Sequence, residues 1–326
     1  MIVEIKISEL MKGHFVVDIA QHQGTYNLSS PGHIKNINVI SNLKNKGVET
    51  LLIDDSKTLT FDSAGNIIGN EQIKTESSTS TSPIFLEITK AKELFNESKN
   101  IQRQIFADAQ QGRELNLTPV IEITNQTIDT VFKNADALAC VINIRKKDEY
   151  LLEHSVSVSV LMTIFARFLK IDKKIIQQLS VGAFLHDVGK INIPDKILNK
   201  PGKLTDAEFT VMKSHVNHSI NIIESTPGIS RLSLEVTALH HEKLDGKGYP
   251  FNVPKEKITK YGRMIAICDI FDALTANRCY KDGYSHLKSF SILRNLAKNN
   301  HLDERLVDLF IKCMGVYPVG SLVELS

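Results

Sequence analysis

Tryptophan is absent from the 326 residues, and cysteine occurs only four times. The missing tryptophan excludes nothing by itself. Cys140, Cys268, Cys279 and Cys313 are scattered and form no CxxC pair, which argues for reduced thiols in a cytoplasmic protein rather than a disulfide framework. An excess of either charge is also missing. A formal net charge of +2 argues against an electrostatic nucleic-acid binder and against a polybasic membrane anchor. No uninterrupted apolar run reaches the roughly 18 residues of a spanning helix. The opening MIVEIKISEL carries charges inside its apolar run, unlike a signal peptide. These absences together predict a soluble, cytoplasmic chain whose partners include neither a nucleic-acid polymer nor a membrane.

What is present is an ordinary apolar fraction of 42%, enough for a real core, in a length suited to about two domains. The fold class expected is α+β overall, with a small N-terminal α/β module followed by an all-α bundle. Residues 1–61 carry the module: strands at Ile2–Ile7, Gly13–Asp18 and Val48–Ile53, and a helix from Ile34 to Lys46 that ends at Gly47. Residues 62–83, with Gly65, Gly69 and the Ser/Thr run from Glu76 to Ser82, lack core formers and read as a flexible linker. Residues 84–127 read as connecting helices. A helix is expected from about Ile128 to Ile144, and helix after helix from there to residue 326.

The chemistry centres on His186 and Asp187 in Leu-His-Asp-Val-Gly-Lys, after an apolar helical stretch. Two adjacent polar side chains there are costly to bury unless something satisfies them, and a metal ion would satisfy both. Gly189 is expected to end the helix, with the Lys190 cation just beyond. His154 opens an expected helix whose apolar face is Val156, Val160, Ile164 and Phe168. His215 lies four residues from Val211 and is expected on the same helix face. His218 reads as a surface group or a neighbour of the site. His240 and His241 form a second adjacent pair, before a loop rich in turn residues. Asp269 sits in an apolar helix, where a carboxylate is expensive unless paired or bound. Asp272, one turn on, competes with it and reads as a supporting group. Five imidazoles and two carboxylates (His154, His186, Asp187, His215, His240, His241 and Asp269) exceed one tetrahedral zinc site. They suit two six-coordinate ions bridged by a carboxylate. Nitrogen and oxygen donors without thiolate favour iron or manganese.

The order of these motifs resembles the HD-GYP family over about Ile128 to Ser326. The run HHE-x2-DGxGYP within Leu239–Pro250 is complete. The resemblance implies a compact HD-type helical bundle with metal in its middle, and a phosphodiesterase domain over residues 128–326 that acts on cyclic dinucleotides, chiefly cyclic di-GMP. It implies that the seven residues are metal ligands, with Asp187 as the bridge, and that His186, Asp187 and Lys190 carry catalysis. Lys190 would reach the scissile phosphate. Arg278 and Lys281 match the family's phosphate- and ligand-binding pair. Gly248 and Tyr249 are candidates for the substrate pocket, although the same loop could instead present a surface to diguanylate cyclases (GGDEF proteins) or simply stiffen His240 and His241.

Two metals a few ångströms apart can hold a bridging hydroxide and bind phosphate oxygens, giving pGpG, GMP or both. Some members hold a third ion through a Glu four residues before the first His. Tyr150 stands there, and Glu149 and Glu153 are out of phase, so two ions are expected. Related readings are a hydrolase of 3′,3′-cyclic GMP-AMP and a catalytically silent receptor or adaptor. Ile5 to about Asp55 resembles a small domain often found in front of HD-GYP domains, with His14 where Met is usual, and a regulatory or structural role is expected. The sequence leaves the oligomeric state open.

Overall fold

The computed structural model describes residues 2–22, 32–34, 36–61, 67–68, 83–143, 150–276 and 282–315. The chain divides into two compact units, Met1–Thr79 and Ser80–Ser326.

In the first unit β1 (Ile2–Lys6), β2 (Phe15–His22), β3 (Gly32–His33) and β4 (Val48–Asp54) form one sheet in the order β1-β4-β2-β3. Each neighbouring pair is antiparallel. Helix α1 (Ile37–Asn45) starts where the Asn36 side chain accepts the Val39 N–H, which satisfies one of the free donors at a helix start. Val48, Leu51 and Ile53 of β4 pack with Leu10, Val16, Ile34 and Leu43 into a small core. The strand expected from Gly13 begins instead at Phe15, because Gly13 turns the chain at φ 98°. Part of the expected linker is paired: β5 (Thr60–Phe61) lies antiparallel to β6 (Ile67–Ile68).

The second unit is helical: α2 (Pro83–Gln110), α3 (Leu117–Lys133), α4 (Ala135–Asn143), α5 (Tyr150–Phe168), α6 (Lys173–Leu185), α7 (Asp195–Leu198), α8 (Asp206–Lys213), α9 (His215–Glu224), α10 (Arg231–Leu239), α11 (Lys260–Thr275), α12 (His286–Lys298) and α13 (Glu304–Met314). The helix expected over about 128–144 is two helices. Asn134 leaves the helical region, at φ −150° and ψ 102°. Its side chain accepts the Asp136 N–H and donates to Glu87, which makes the break locally satisfied.

Helices α5 and α11 are buried nearly all round, at Val156, Val160, Leu161 and Phe165 on the first and at Met264 to Cys268 on the second. A helix apolar on every face belongs in the middle of a bundle, and α5 packs on α2, α6, α11 and α13. Among the described residues, Leu151–Phe168 is the one stretch long and apolar enough to cross a membrane, and 78% of it is buried inside the fold.

Candidate metal centre

Five chain segments deliver the seven candidate side chains to one place. His154 stands one turn inside α5 rather than at its start. His186 caps the end of α6, which stops at Leu185, and Asp187 begins a short 3-10 turn, Val188–Asn192. His215 opens α9, and His240 and His241 follow α10. Asp269 lies mid-way along α11. Six of the seven are buried, while the His241 side chain keeps 24% exposure. The shared face expected for Val211 and His215 is not formed. The chain breaks at Ser214 between α8 and α9, and Val211 faces solvent while His215 turns inward.

Three of the imidazoles are held in the same way. The Nδ1 of His186, His215 and His240 lies 2.7, 2.7 and 2.6 Å from the carbonyl oxygen three residues earlier, on Ala183, Met212 and Thr237. A carbonyl only accepts, so each Nδ1 carries the proton and each Nε2 keeps a lone pair. His154 is oriented differently, with Nδ1 donating to Asp272 Oδ2 at 2.8 Å.

Asp187 lies between two sets of these nitrogens. Its Oδ2 is 3.4 Å from Nε2 of both His154 and His186, and its Oδ1 is 3.3 Å from His215 Nε2 and 3.9 Å from His240 Nε2. Asp269 is two-sided as well: Oδ1 lies 3.0 Å from His154 Nε2 and 4.0 Å from His186 Nε2, and Oδ2 lies 3.5 Å from His241 Nδ1. Donor atoms close enough to share one ion are supplied by His154, His186 and Asp269, by His186, Asp187 and His240, and by His215, His240 and His241.

The cluster fits divalent cations on its own geometry. His186 Nε2 and Asp187 Oδ1 are buried without a hydrogen-bond partner, a costly state unless an ion or water satisfies them. His215 Nε2 and His240 Nε2, both lone-pair atoms, face each other at 3.4 Å, which is repulsive until a cation lies between them. Burial pushes His215 down to about 4 and His241 to about 3, and holds His240 well below the usual histidine range. These rings are therefore neutral at pH 7, the form that binds metal. For His154 burial pulls the other way from Asp269 and Asp272, and the two carboxylates win, raising it to about 9. A cation at Nε2 would displace that proton. Burial works against ionisation of Asp187, yet Lys190 and then His186 and His215 hold its carboxyl well below the usual range. Every candidate donor is nitrogen or oxygen. The neighbouring Cys268 thiol is pushed well up by burial.

Two supporting groups hold the segments that carry the candidate donors. Gly189 does not end α6. A Cβ there would lie 2.2 Å from His215 O and 2.3 Å from Ser219 N. The bare glycine lets the turn after Asp187 press against α9, where its N–H donates to Ser219 Oγ at 2.8 Å. Glu242, the acidic residue of the HHE run, is buried and accepts the N–H groups of Phe251, Asn252 and Val253 at 2.8, 3.1 and 3.2 Å. It clamps the loop onto the end of α10. A glutamate just before a run of turn residues is the sequence signal for such a clamp. Gly248 passes so close that a Cβ would meet Glu242 Cα at 2.4 Å, and the Tyr249 ring lies 4.6 Å from His241, tilted by 34°.

Lys190 pairs with Asp187 Oδ2 and so stands at the cluster. Glu153 is turned to Lys99 of α2, 3.2 Å away. His218 is half-buried. Arg278 and Lys281 lie outside the described residues.

Asp272→Ala is expected to weaken metal affinity by about 10- to 100-fold, because it frees the His154 ring to rotate. Competition with a chelator measures this, and an unchanged affinity would remove the orienting role.

A family model described as HD domain matches residues 140–306, and one described as a domain of unknown function (DUF3391) matches residues 2–120. The cyclic di-GMP phosphodiesterase PA4108 of Pseudomonas aeruginosa is 32% identical over 292 residues, which are 88% of this chain and 70% of that protein. A cyclic di-GMP phosphodiesterase of Vibrio cholerae is 43% identical over 42% of this chain, and the 3′3′-cGAMP-specific phosphodiesterase 2 of the same organism is 42% identical over 39%. The chain spans only 29% and 24% of those two proteins. The solved structure of Bd1817, an HDG"Y"P protein from Bdellovibrio bacteriovorus, superposes with a TM-score of 0.55 at 17% identity, covering 96% of this chain and 99% of its own. That likeness is one of fold. By the family match, the long Pseudomonas relative and the complete HHE-x2-DGxGYP loop, this chain belongs to the HD-GYP family of HD-domain proteins.

Proposed function

We propose that the chain is a metal-dependent phosphodiesterase that hydrolyses cyclic di-GMP. The observation that carries this reading is the position of Asp187, whose two oxygens face two separate sets of histidine nitrogens. His154, His186, Asp187 and Asp269 would hold one ion, and Asp187, His215, His240 and His241 the other. The all nitrogen and oxygen donor set favours iron or manganese. Two ions suit the chain better than three, because Glu153 already has the Lys99 ammonium as partner.

When bound, such an ion pair supplies Lewis-acid charge and an acidified water. The chain's own groups do the rest. Asp187 and Asp269 fix the spacing of the two halves. Asp272 aims His154. Lys190, held at Asp187, would bring a cation to the phosphate oxygens, where negative charge increases. Water oxygen bonds to phosphorus and gives up a proton as the bond to the 3′ oxygen breaks, and the departing 3′ oxygen takes up a proton in turn, so each cut consumes one water. The products are pGpG after one cut and GMP after a second. No protein nucleophile is required. Arg278 and Lys281 are proposed to bind the phosphates and Gly248 and Tyr249 to border the substrate. Residues 1–61 would serve as a regulatory or dimerising module, the loop at Tyr249 would offer a surface to diguanylate cyclases, and the enzyme would work in the cytoplasm.

A second reading, hydrolysis of 3′,3′-cyclic GMP-AMP, rests on the similarity to the Vibrio cGAMP-specific enzyme. The test is to purify the protein without oxygen, load it with iron or manganese, and separate the products from cyclic di-GMP and cyclic GMP-AMP. Faster turnover of cyclic di-GMP is expected. Preference for the mixed nucleotide supports the second reading, and binding without turnover of either would make the protein a silent receptor.

A further inference from the structure

An aromatic wall runs outward from the metal centre. It starts at His241, whose side chain is 24% exposed. Tyr249 follows, 4.6 Å from the His241 ring. Phe209 of α8 comes next, with its centroid 6.3 Å from that of Tyr249 and the planes at 82°. Both separations lie in the range of favourable ring contacts. Phe209 is 47% exposed, even though the Lys213 ammonium lies over its ring at 5.4 Å.

Single exposed apolar side chains are ordinary and ask for no explanation. Phe209 is not single, because its ring continues a row that begins at a candidate metal ligand. Helix α8 is fixed by means that leave Phe209 out. Thr205 and Glu208 cap its start reciprocally, with Thr205 N–H donating to Glu208 at 2.7 Å, and Lys200 grips the same carboxylate. The helix start is thus held by polar contacts that do not involve the Phe209 ring.

We propose that Phe209 is a substrate-binding residue, which with Tyr249 receives a purine base of the substrate while the phosphate sits at the metal centre. The inference rests on the phosphodiesterase reading and deepens it. In a cyclic dinucleotide the bases flank the phosphodiester ring, so a base must leave the metal centre along whichever wall borders it. A ring row starting at His241 provides planar apolar surface in that direction. Stacking on an aromatic side chain is favourable for any base, and Phe209 can give this without touching the reacting atoms. Its contribution is the same in the ground state and the transition state, so it acts on KM rather than on kcat.

The test compares wild-type protein with Phe209→Ala, Phe209→Leu and Phe209→Trp, all loaded with the same metal, on cyclic di-GMP. Metal content and thermal stability are measured alongside, because an exposed position should alter neither. Phe209→Ala is expected to raise KM about tenfold with kcat within about twofold, a cost near 1.4 kcal/mol. Phe209→Leu should stay close to Phe209→Ala, and Phe209→Trp should restore KM. An unchanged KM in Phe209→Ala, or full rescue by leucine, would overturn the base-stacking role while leaving the phosphodiesterase reading intact. A wild-type protein that turns over no cyclic dinucleotide would overturn that reading instead. A fall in kcat with KM unchanged would place Phe209 in the support of the metal centre and sink the proposal.

Discussion

Asp187→Ala is expected to lose both metal ions together and to lower turnover by at least about 10³-fold, or roughly 4 kcal/mol of transition-state stabilisation. The reason is geometric. Each oxygen of Asp187 faces a different histidine set, at 3.3 to 3.9 Å. Removing the carboxylate takes one anion away from both histidine sets, and it strips Lys190 of its partner. Asp187→Asn tests the charge alone, since it keeps the shape and one oxygen acceptor. It should lose metal nearly as fully, because an amide neutralises no cation. Elemental analysis of protein prepared without oxygen reads the metal, and product separation reads turnover. Retention of two ions with near wild-type turnover in either variant would remove the bridging role. Loss of one ion alone would make Asp187 a ligand of a single site.

Gly189→Ala should have the second largest effect, although it adds one methyl group and no polar or charged atom. That methyl would lie 2.2 Å from His215 O and 2.3 Å from Ser219 N. Both obstacles are backbone, so no side chain can rotate away. Either the turn after Asp187 or α9 must shift, and α9 carries His215. Overpacking of this kind costs about 1–3 kcal/mol, and in a unit of this size that lowers Tm by roughly 2–12 °C. The distinctive consequence is weaker metal binding at the cluster containing His215. Gly246→Ala is the contrast. Gly246 has φ 71°, and a Cβ there would meet nothing within 4 Å. Its replacement costs about 1 kcal/mol of backbone strain and should leave metal affinity unchanged. Equal metal loss in the two variants would mean that strain in general, and not the approach of Gly189 to α9, controls the centre.

Much of the helical half was legible from local pattern. The apolar period of α5 and the unbroken apolar stretch of α11 mark helices on any reading, since burial on several faces writes itself into composition. The seven candidate donors were likewise visible, because histidine and aspartate are conspicuous at the ends of apolar runs. Breaks were harder. At the division at Asn134 one bond is local, to the Asp136 N–H, but the other reaches Glu87, 47 residues away, and no local window contains that partner. At Ser214 α8 gives way to α9, and His215 turns inward while Val211 stays at the surface. Packing of His215 among distant histidines outweighs the continuous helical pattern.

The sequence by itself determined which chemistry is available: a nitrogen and oxygen donor set, no thiolate site, and a complete HHE-x2-DGxGYP loop. Residue type and spacing decide these, and neither needs a fold. The tertiary structure alone decided what surrounds each candidate donor. It set Asp187 Oδ2 beside His154 and His186 and Oδ1 beside His215 and His240, gave Asp272 to His154 and Lys99 to Glu153, and assigned Gly189 to close packing rather than to a helix end. Each of these depends on distances between segments tens of residues apart, which chain connectivity does not specify and close packing of the bundle does.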